Sequence, residues 1–267
     1  VIADPRWRAA GLAVRRIAVA PPHAVRQREA AIAASSGALL LLLDDDVELE
    51  PDCLAQLEGA LADAPEAVAA MADFSNQRWP GPTRAWRLYL RLAHGLADGD
   101  WQGRVIGPLL RFGFDPPPHD PRRIEWIGAG NTLLRRAAFE RAGGFSTFFL
   151  DRAATHEDVD LGLRLARIGP LLFCPRARLA HFHDPAGRLS LRASAEDDLH
   201  NRYCVLRFTL GRSRPGALAA VLGYAALESA SNAAGAARRG RAGALPALLA
   251  GRLRALARLS RAEPRRT

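Results

Sequence analysis

Lysine is absent from this 267-residue sequence, so all 37 of its basic side chains are arginines. Cysteine is also scarce: only Cys53, Cys174 and Cys204 occur, and no two of them form a CxxC pair. This shortage argues against a disulfide scaffold or a zinc ribbon, and it fits a reducing compartment. The 49% hydrophobic and 24% charged residues exclude wholesale disorder and indicate a folded chain with a sizeable core.

Long hydrophobic runs are lacking as well. The apolar run 38–43 is too short to cross a bilayer and ends at three aspartates. The Ala-rich stretch 215–237 contains polar residues, so it predicts an amphipathic or packed helix rather than a membrane span. Residues 1–5 have neither a basic region nor an apolar region of sufficient length, so no signal peptide is expected. We therefore expect a cytoplasmic protein.

The formal net charge of +9 is unevenly distributed. From Arg202 onward thirteen arginines face only Glu228 and Glu263, a net charge of +11. The first 201 residues then carry −2, because +9 − 11 = −2. No nucleic-acid partner is expected for this body. The basic C-terminal part suits peripheral contact with the anionic inner face of the cell membrane. The alternative is a helical subdomain that packs on the body with a solvated basic face.

Apolar patterning predicts strands that alternate with helices, the pattern of a nucleotide-binding α/β sheet. Strands are predicted at 1–3, 17–20, 38–43, 68–72, 131–134, 171–174 and 177–180. Helices are predicted at 24–35, 51–62, 83–96, 136–142 and 158–168, and beyond residue 190. The segment 76–126 is otherwise expected to be a long loop that determines acceptor choice.

Three aspartates, Asp44, Asp45 and Asp46, directly follow the predicted strand 38–43. Clustered carboxylates at the carboxyl end of a strand repel one another unless a divalent cation or an arginine lies among them. Ligands bind at such edges in open α/β sheets. The competing interpretation is a solvated acidic turn that caps the following helix.

Two further polar clusters are candidates for chemistry. Glu157 and Asp158 begin a predicted helix, where the helix dipole alone would favour acidic residues. Asp160 is the expected partner of Arg164 four residues later. His181 and His183 share one face of a predicted strand, which suggests a metal site, although a single hydrogen-bonded imidazole is the commoner case.

Taken in order, these segments resemble glycosyltransferase family 2. The runs that carry the resemblance are REAAI at 28–32, LLLLLDDDVELEPD at 39–52, EWIGAGN at 125–131, LRR at 134–136, AGGF at 142–145, HEDVDLGLRL at 156–165 and PRARLAHFHDPAGR at 175–188. The resemblance covers about residues 1–205. It implies a GT-A fold, a Rossmann-like and mostly parallel sheet that binds a nucleoside-diphosphate sugar.

The resemblance also implies roles for individual residues. Asp46 and His181 would hold Mn²⁺ or Mg²⁺, and Asp158 would be the general base. The nucleotide sugar would contact Asp4, Arg28, Asp44 and Asp45. The acceptor, a glycan or lipid-linked hydroxyl compound, would contact Trp126, Gly128, Gly130 and Glu157. One base and one metal, without an enzyme nucleophile, imply single displacement with inversion at the anomeric carbon.

The resemblance implies a catalytic domain over residues 1–200. Its nucleotide-sugar half would be 1–75, its variable region 76–126 and its acceptor half 127–200, and the Arg-rich helical extension would follow at 201–267. The family's first βα unit is not evident, and Glu29 stands where the family usually has asparagine. Two alternatives stay open: a family member without catalysis that acts in binding or assembly, and a sugar-phosphate nucleotidyltransferase. The latter would need a Gly-rich basic phosphate loop near residue 1.

Overall fold

A six-stranded sheet with helices packed against it forms the centre of the protein. The computed structural model describes Ala9, Gly11 and residues 13–78, 81–150, 154–182, 189–239 and 243–261. Strands are β1 Leu39–Leu43, β2 Val47–Leu49, β3 Ala69–Phe74, β4 Val105–Ile106, β5 Leu110–Arg111, β6 Arg122–Ile124, β7 Asn131–Arg135 and β8 Leu171–His181. Helices are α1 Ala24–Ala33, α2 Cys53–Asp63, α3 Arg84–His94, α4 Arg136–Arg141, α5 Glu157–Leu165, α6 Leu191–Cys204, α7 Arg214–Arg239 and α8 Leu245–Arg261.

The α/β class is confirmed, but the sheet is mixed rather than mostly parallel. Its strand order is β1-β7-β3-β8-β2, and β6 pairs with β8. Among the strands that the structure describes, β3–β8 is the one parallel pairing in this sheet. The reason is that β7 runs opposite to its neighbours β1 and β3, and that β2 and β6 both run opposite to β8. Because β1, β3 and β8 nevertheless run the same way, their carboxyl ends share one edge of the sheet.

Several predicted elements differ from the structure. Residues 17–20 form no strand, and the two strands predicted at 171–174 and 177–180 are one continuous strand, β8. The predicted long loop contains the hairpin β4–β5 and the strand β6. The strand predicted at 1–3 lies outside the described residues. Short strands such as β4 and β5 have too few residues to show an apolar alternation, so sequence patterning does not reveal them.

Local chemistry explains the helix boundaries near the sheet. The side chain of Thr83 accepts a hydrogen bond from the backbone N–H of Trp86 and begins α3, and Gly95 ends it in the left-handed conformation. On the other side, α2 buries Cys53, Leu57 and Leu61 against the sheet. Full burial of a leucine side chain contributes roughly 1.5–3 kcal/mol. These contacts fasten α2 to the sheet.

The C-terminal helices pack on the body and on one another. Gly251 of α8 lies directly against the backbone of Arg192 in α6, and the buried face of α7 includes Ala217 and Val221. Trp86 of α3 donates a 3.2 Å hydrogen bond to Glu228 of α7. None of the described helices is long and apolar enough to traverse a lipid bilayer.

Candidate active site

The carboxyl-end edge of the sheet opens into a cleft of about 600 Å³. Most residues selected from the sequence line it: Arg28, Asp44, Trp126, Gly128, Gly130, Glu157, Asp158 and His181. Asp46 reaches the same place through His181, whose Nε2 lies 2.9 Å from Asp46 Oδ1. Asp45 is exposed and does not line the cleft. Asp4 and His183 lie outside the described residues.

Asp44, Asp46 and His181 form a cluster that could hold a metal ion. One ligand atom of each lies within 4.8 Å of the other two, and all three side chains are partly exposed. Carboxylates are the ligands that Mg²⁺ and Mn²⁺ prefer, and imidazole nitrogen is a common transition-metal ligand. The donor set therefore fits a divalent cation.

The end of β8 fixes His181 at this cluster. Its backbone N–H donates a 2.9 Å hydrogen bond to Asn76 Oδ1, and its backbone carbonyl accepts a 2.9 Å hydrogen bond from Asn76 Nδ2. The His181 ring also lies 5.4 Å from the ring of Phe74 at the end of β3. The neighbouring strand β3 and the turn after it thus set the position of the imidazole.

Arg28 joins the two acidic parts of the cleft. From α1 it donates a 2.7 Å hydrogen bond to Asp44 Oδ1 and a 3.0 Å hydrogen bond to Glu157 Oε1. Its neighbour Glu29 instead accepts a 2.7 Å hydrogen bond from the backbone N–H of Phe145. Arg28 therefore faces the cleft, whereas Glu29 ties α1 to the segment after α4.

The two acidic residues that begin α5 differ in environment. Burial, and secondly the adjacent Asp158, raise the pKa of Glu157 to about 7 even though the nearby Arg28 acts to lower it. Asp158 Oδ2 accepts a hydrogen bond from Arg111, and its Oδ1 accepts one from the backbone N–H of Val159. The guanidinium of Arg111 lies 5.4 Å from the ring centroid of Trp126. Each of the two carboxyl groups is thus paired with an arginine, Glu157 with Arg28 and Asp158 with Arg111, and the pKa of Glu157 is raised.

Sequence patterning missed four charged residues that line the cleft: Asp73, Arg111, Asp198 and Arg202. Asp73 lies near the end of β3. Arg111 lies on the unpredicted hairpin, and no sequence signal marked it. Asp198 and Arg202 are four residues apart on α6 and form a 3.0 Å ion pair, a spacing that could have identified the pair but not its place in the cleft. The predicted pair of Asp160 and Arg164 is confirmed at 2.7 Å.

Comparisons with known proteins give structural neighbours only. No protein-family model matches the sequence. No curated protein matches it either. Among solved structures, the chain is similar to the mannosyltransferase PcManGT from Pyrobaculum calidifontis in complex with GDP-Man and Mn²⁺. The identity is 18%, the TM-score is 0.47, and the match covers 94% of this chain and 72% of that one.

Two other solved structures are also similar. GalNAc-T7 with UDP, GalNAc and Mn²⁺ is 13% identical with a TM-score of 0.44, over 72% of this chain and 38% of that one. Glucosyl-3-phosphoglycerate synthase from Mycobacterium tuberculosis, in complex with phosphoglyceric acid, is 17% identical with a TM-score of 0.39, over 75% and 65%. The chain spans less than two thirds of both proteins. The expected similarity to glycosyltransferases is confirmed, but likeness at this level does not transfer an activity.

Proposed function

We propose that this protein is a metal-dependent glycosyltransferase of the GT-A type. It would move a sugar from a nucleoside-diphosphate sugar to a hydroxyl acceptor. The observation that supports this proposal is the shared cleft, where the cluster of Asp44, Asp46 and His181 and the carboxylate of Asp158 approach from different elements. A cation cluster and a separate carboxylate in one cleft are the two groups that such a transfer needs.

In this proposal Asp44, Asp46 and His181 hold Mn²⁺ or Mg²⁺. When bound there, the cation would neutralise the negative charge that develops on the departing diphosphate. Arg28, which bridges Asp44 and Glu157, adds a fixed positive charge beside the nucleotide. Trp126, Gly128, Gly130 and Glu157 form the wall on which the acceptor lies.

Asp158 is the proposed general base. The acceptor hydroxyl loses its proton to this carboxylate while its oxygen attacks the anomeric carbon and the bond to the diphosphate breaks. Attack from the face opposite the leaving group inverts the anomeric configuration. Asp158 accepts one hydrogen bond on each carboxylate oxygen, from Arg111 and from the backbone N–H of Val159, so each oxygen keeps a lone pair for the arriving hydroxyl.

The substitution Asp158→Asn tests this role. It removes the base but keeps the shape of the side chain, so we expect turnover to fall by about 10²–10⁴-fold. Binding of the sugar nucleotide should change little, because Asp158 is separate from the cation cluster.

Calorimetric titration of UDP-, dTDP- and GDP-sugars with Mn²⁺ identifies the donor, and product release measures turnover. Near-normal turnover in the variant would remove Asp158 from the role. Failure of the wild-type protein to bind any sugar nucleotide would favour a non-catalytic binding or assembly protein.

We infer that the hairpin of α7 and α8 lies on an anionic membrane, where a lipid-linked acceptor is presented. On α8 the side chains of Leu249 and Leu253 are 44% and 65% exposed, one helical turn apart. The side chains of Arg254 and Arg258 on the same helix are 51% and 53% exposed, and each also forms an ion pair with Glu196 of α6. Exposed leucines beside arginines are the composition of a helix that lies in the plane of an anionic bilayer.

Vesicle co-sedimentation tests this surface. The intact protein should bind phosphatidylglycerol vesicles at low salt and bind phosphatidylcholine vesicles much less. The double substitution of Leu249 and Leu253 to serine should reduce the binding. The matched control is Leu92→Ser, which changes a leucine that is 77% exposed on α3. Absence of binding at low salt, or equal loss in the control, would contradict the proposal.

A further inference from the structure

His156, the residue that directly precedes α5, has an unusual backbone conformation. Its φ of 66° is positive, and no other non-glycine residue in the described chain has a positive φ. A left-handed conformation of a non-glycine residue costs of order 1 kcal/mol and is found preferentially at functional sites. His156 directly precedes Glu157 and Asp158 and lines the same cleft.

A fixed network holds one side of the His156 ring. Its Nε2 lies 2.8 Å from Asp198 Oδ1. Arg202 Nε lies 3.2 Å and 3.0 Å from the two carboxylate oxygens of Asp198, and Arg202 Nη1 donates a 2.8 Å hydrogen bond to the carbonyl of Pro108. The guanidinium of Arg202 lies 4.1 Å from the ring centroid of Tyr224. The imidazole is thus oriented by a carboxylate that is itself held in place.

This network also sets the proton on the ring. Burial lowers the pKa of His156, and the nearby Arg202 lowers it further, so the imidazole is neutral at neutral pH. Burial acts to raise the pKa of Asp198, but Arg202 and the bond from His156 outweigh it and lower the pKa overall. Because an ionised carboxylate can only accept, Nε2 carries the N–H. The other ring nitrogen, Nδ1, therefore presents a lone pair.

The lone pair on Nδ1 has no partner among the described residues. The atom is buried, and the residue as a whole is only 8% exposed. Buried polar atoms are almost always hydrogen-bonded. A buried nitrogen without a partner in a cleft therefore indicates that a ligand group binds there. A neutral imidazole nitrogen with a lone pair accepts from a hydroxyl group and does not attract an anion.

We propose that His156 is an acceptor-binding residue whose Nδ1 accepts a hydrogen bond from a hydroxyl of the acceptor substrate. Asp198 and Arg202 act through it as positioning residues. This inference rests on the proposed function, because the hydroxyl belongs to the acceptor that Asp158 deprotonates. The chemical class selected at this point is a polyol or sugar with a second hydroxyl near the reacting one.

Nitrogen-15 NMR of the histidine rings tests the proposal without turnover. At neutral pH the His156 ring should show a protonated Nε2 and an unprotonated Nδ1. Glycerol, used as the probe polyol with UDP and diamagnetic Mg²⁺ present, should shift the Nδ1 signal. The exposed His119 serves as the control ring. A protonated Nδ1, or no shift of the Nδ1 signal at molar glycerol, would overturn the proposal.

Two substitutions separate acceptor binding from a structural role. The amide of His156→Gln can reach Asp198 in place of Nε2 but lacks an acceptor at the Nδ1 position. His156→Asn retains an oxygen near the Nδ1 position, and asparagine tolerates a positive φ. We expect the KM for glycerol to rise about tenfold or more in the glutamine variant, and less in the asparagine variant, with donor affinity unchanged in both. Equal effects of the two variants, or wild-type glycerol kinetics in His156→Gln, would contradict the inference. Loss of donor binding in the wild-type protein would instead contradict the proposed function.

Discussion

Gly130 shapes the acidic cluster by having no side chain. A Cβ atom at this position would lie well inside contact distance of Asp44 Oδ2. To relieve that clash the Asp44 carboxylate would have to shift from its present position, in which it accepts a hydrogen bond from Arg28. The close approach of the 128–131 segment to the end of β1 thus depends on a glycine.

Gly130→Ala should therefore weaken cation binding while the fold is retained. We expect Mn²⁺ affinity to fall by about tenfold, which corresponds to about 1.4 kcal/mol, the scale of a lost charged contact. The control is Gly59→Ala in α2, where an added Cβ meets nothing within 4 Å. It should leave Mn²⁺ affinity unchanged and stabilise the helix by roughly 0.5–1 kcal/mol. Unchanged Mn²⁺ affinity in Gly130→Ala would contradict this account of Asp44.

Glu157 makes the stability of the protein depend on pH. Its pKa rises from 4.5 to about 7 on folding, chiefly through burial. Below pH 4.5 the folded and unfolded states are both protonated and the stabilising contribution is complete. As the pH rises towards 7, the unfolded state releases its proton first, so the free energy of unfolding falls. The full shift corresponds to at most about 3 kcal/mol.

Glu157→Gln removes this titration. The difference in free energy of unfolding, wild type minus variant, should decrease by about 1–3 kcal/mol between pH 5 and pH 8. Urea unfolding at several pH values measures the difference. Asp63→Asn, which changes an exposed carboxylate, should show no such trend. A difference that stays constant across this range would mean that Glu157 is ionised throughout.

At the scale of single residues, the sequence identified the residues that carry the chemistry better than it identified their neighbours in the fold. The acids of the 44–46 turn and His181 were identifiable because a strand end directly precedes or contains them. Arg111 and Asp198 were not, because each enters the cleft through packing between segments far apart in the chain. Residue type and position in the sequence show which side chains can bind a metal or titrate. Tertiary contacts decide which basic side chain pairs with which acidic one.

At the scale of elements, boundaries were predictable wherever a strand or helix carried its own signal. The apolar run of β1 and the capped helix α3 are examples. Strand direction was not predictable, because it depends on where β7 inserts. Residues 17–20 have strand-like composition but pair with none of the described strands, so the apolar run alone did not make a strand.

Gly251 shows how one element depends on another. An added Cβ would meet the carbonyl oxygen of Arg192 and the side chain of Ala195, both on α6. Gly251→Ala should force α8 away from α6 and destabilise the protein by about 1–3 kcal/mol, the usual effect of overpacking. In the variant, amide hydrogen exchange should become faster than in the wild type, and the increase should be larger in α8 than in the sheet. Gly223→Ala on α7, where nothing lies within 4 Å, is the control. Unchanged exchange in α8 would show that the contact is not limiting.

At the scale of the whole molecule, charge and chemistry are separated along the chain. The first 201 residues carry a net charge of −2 and contain the cation cluster, whereas the chain from Arg202 onward carries +11. Arg202 stands at the boundary and lines the cleft from α6. This separation could be counted from the sequence, but the contact of α6 with the cleft required the fold.

The proposed function depends above all on the binding of a divalent cation by Asp44, Asp46 and His181 together. Electron paramagnetic resonance titration of Mn²⁺ tests it directly, with the intact protein compared with Asp46→Asn and with the exposed neighbour change Asp45→Asn. We expect one Mn²⁺ site in the wild-type protein, its retention in Asp45→Asn and its loss in Asp46→Asn. Equal Mn²⁺ binding by the wild type and Asp46→Asn, or no binding by the wild type with UDP present, would contradict it.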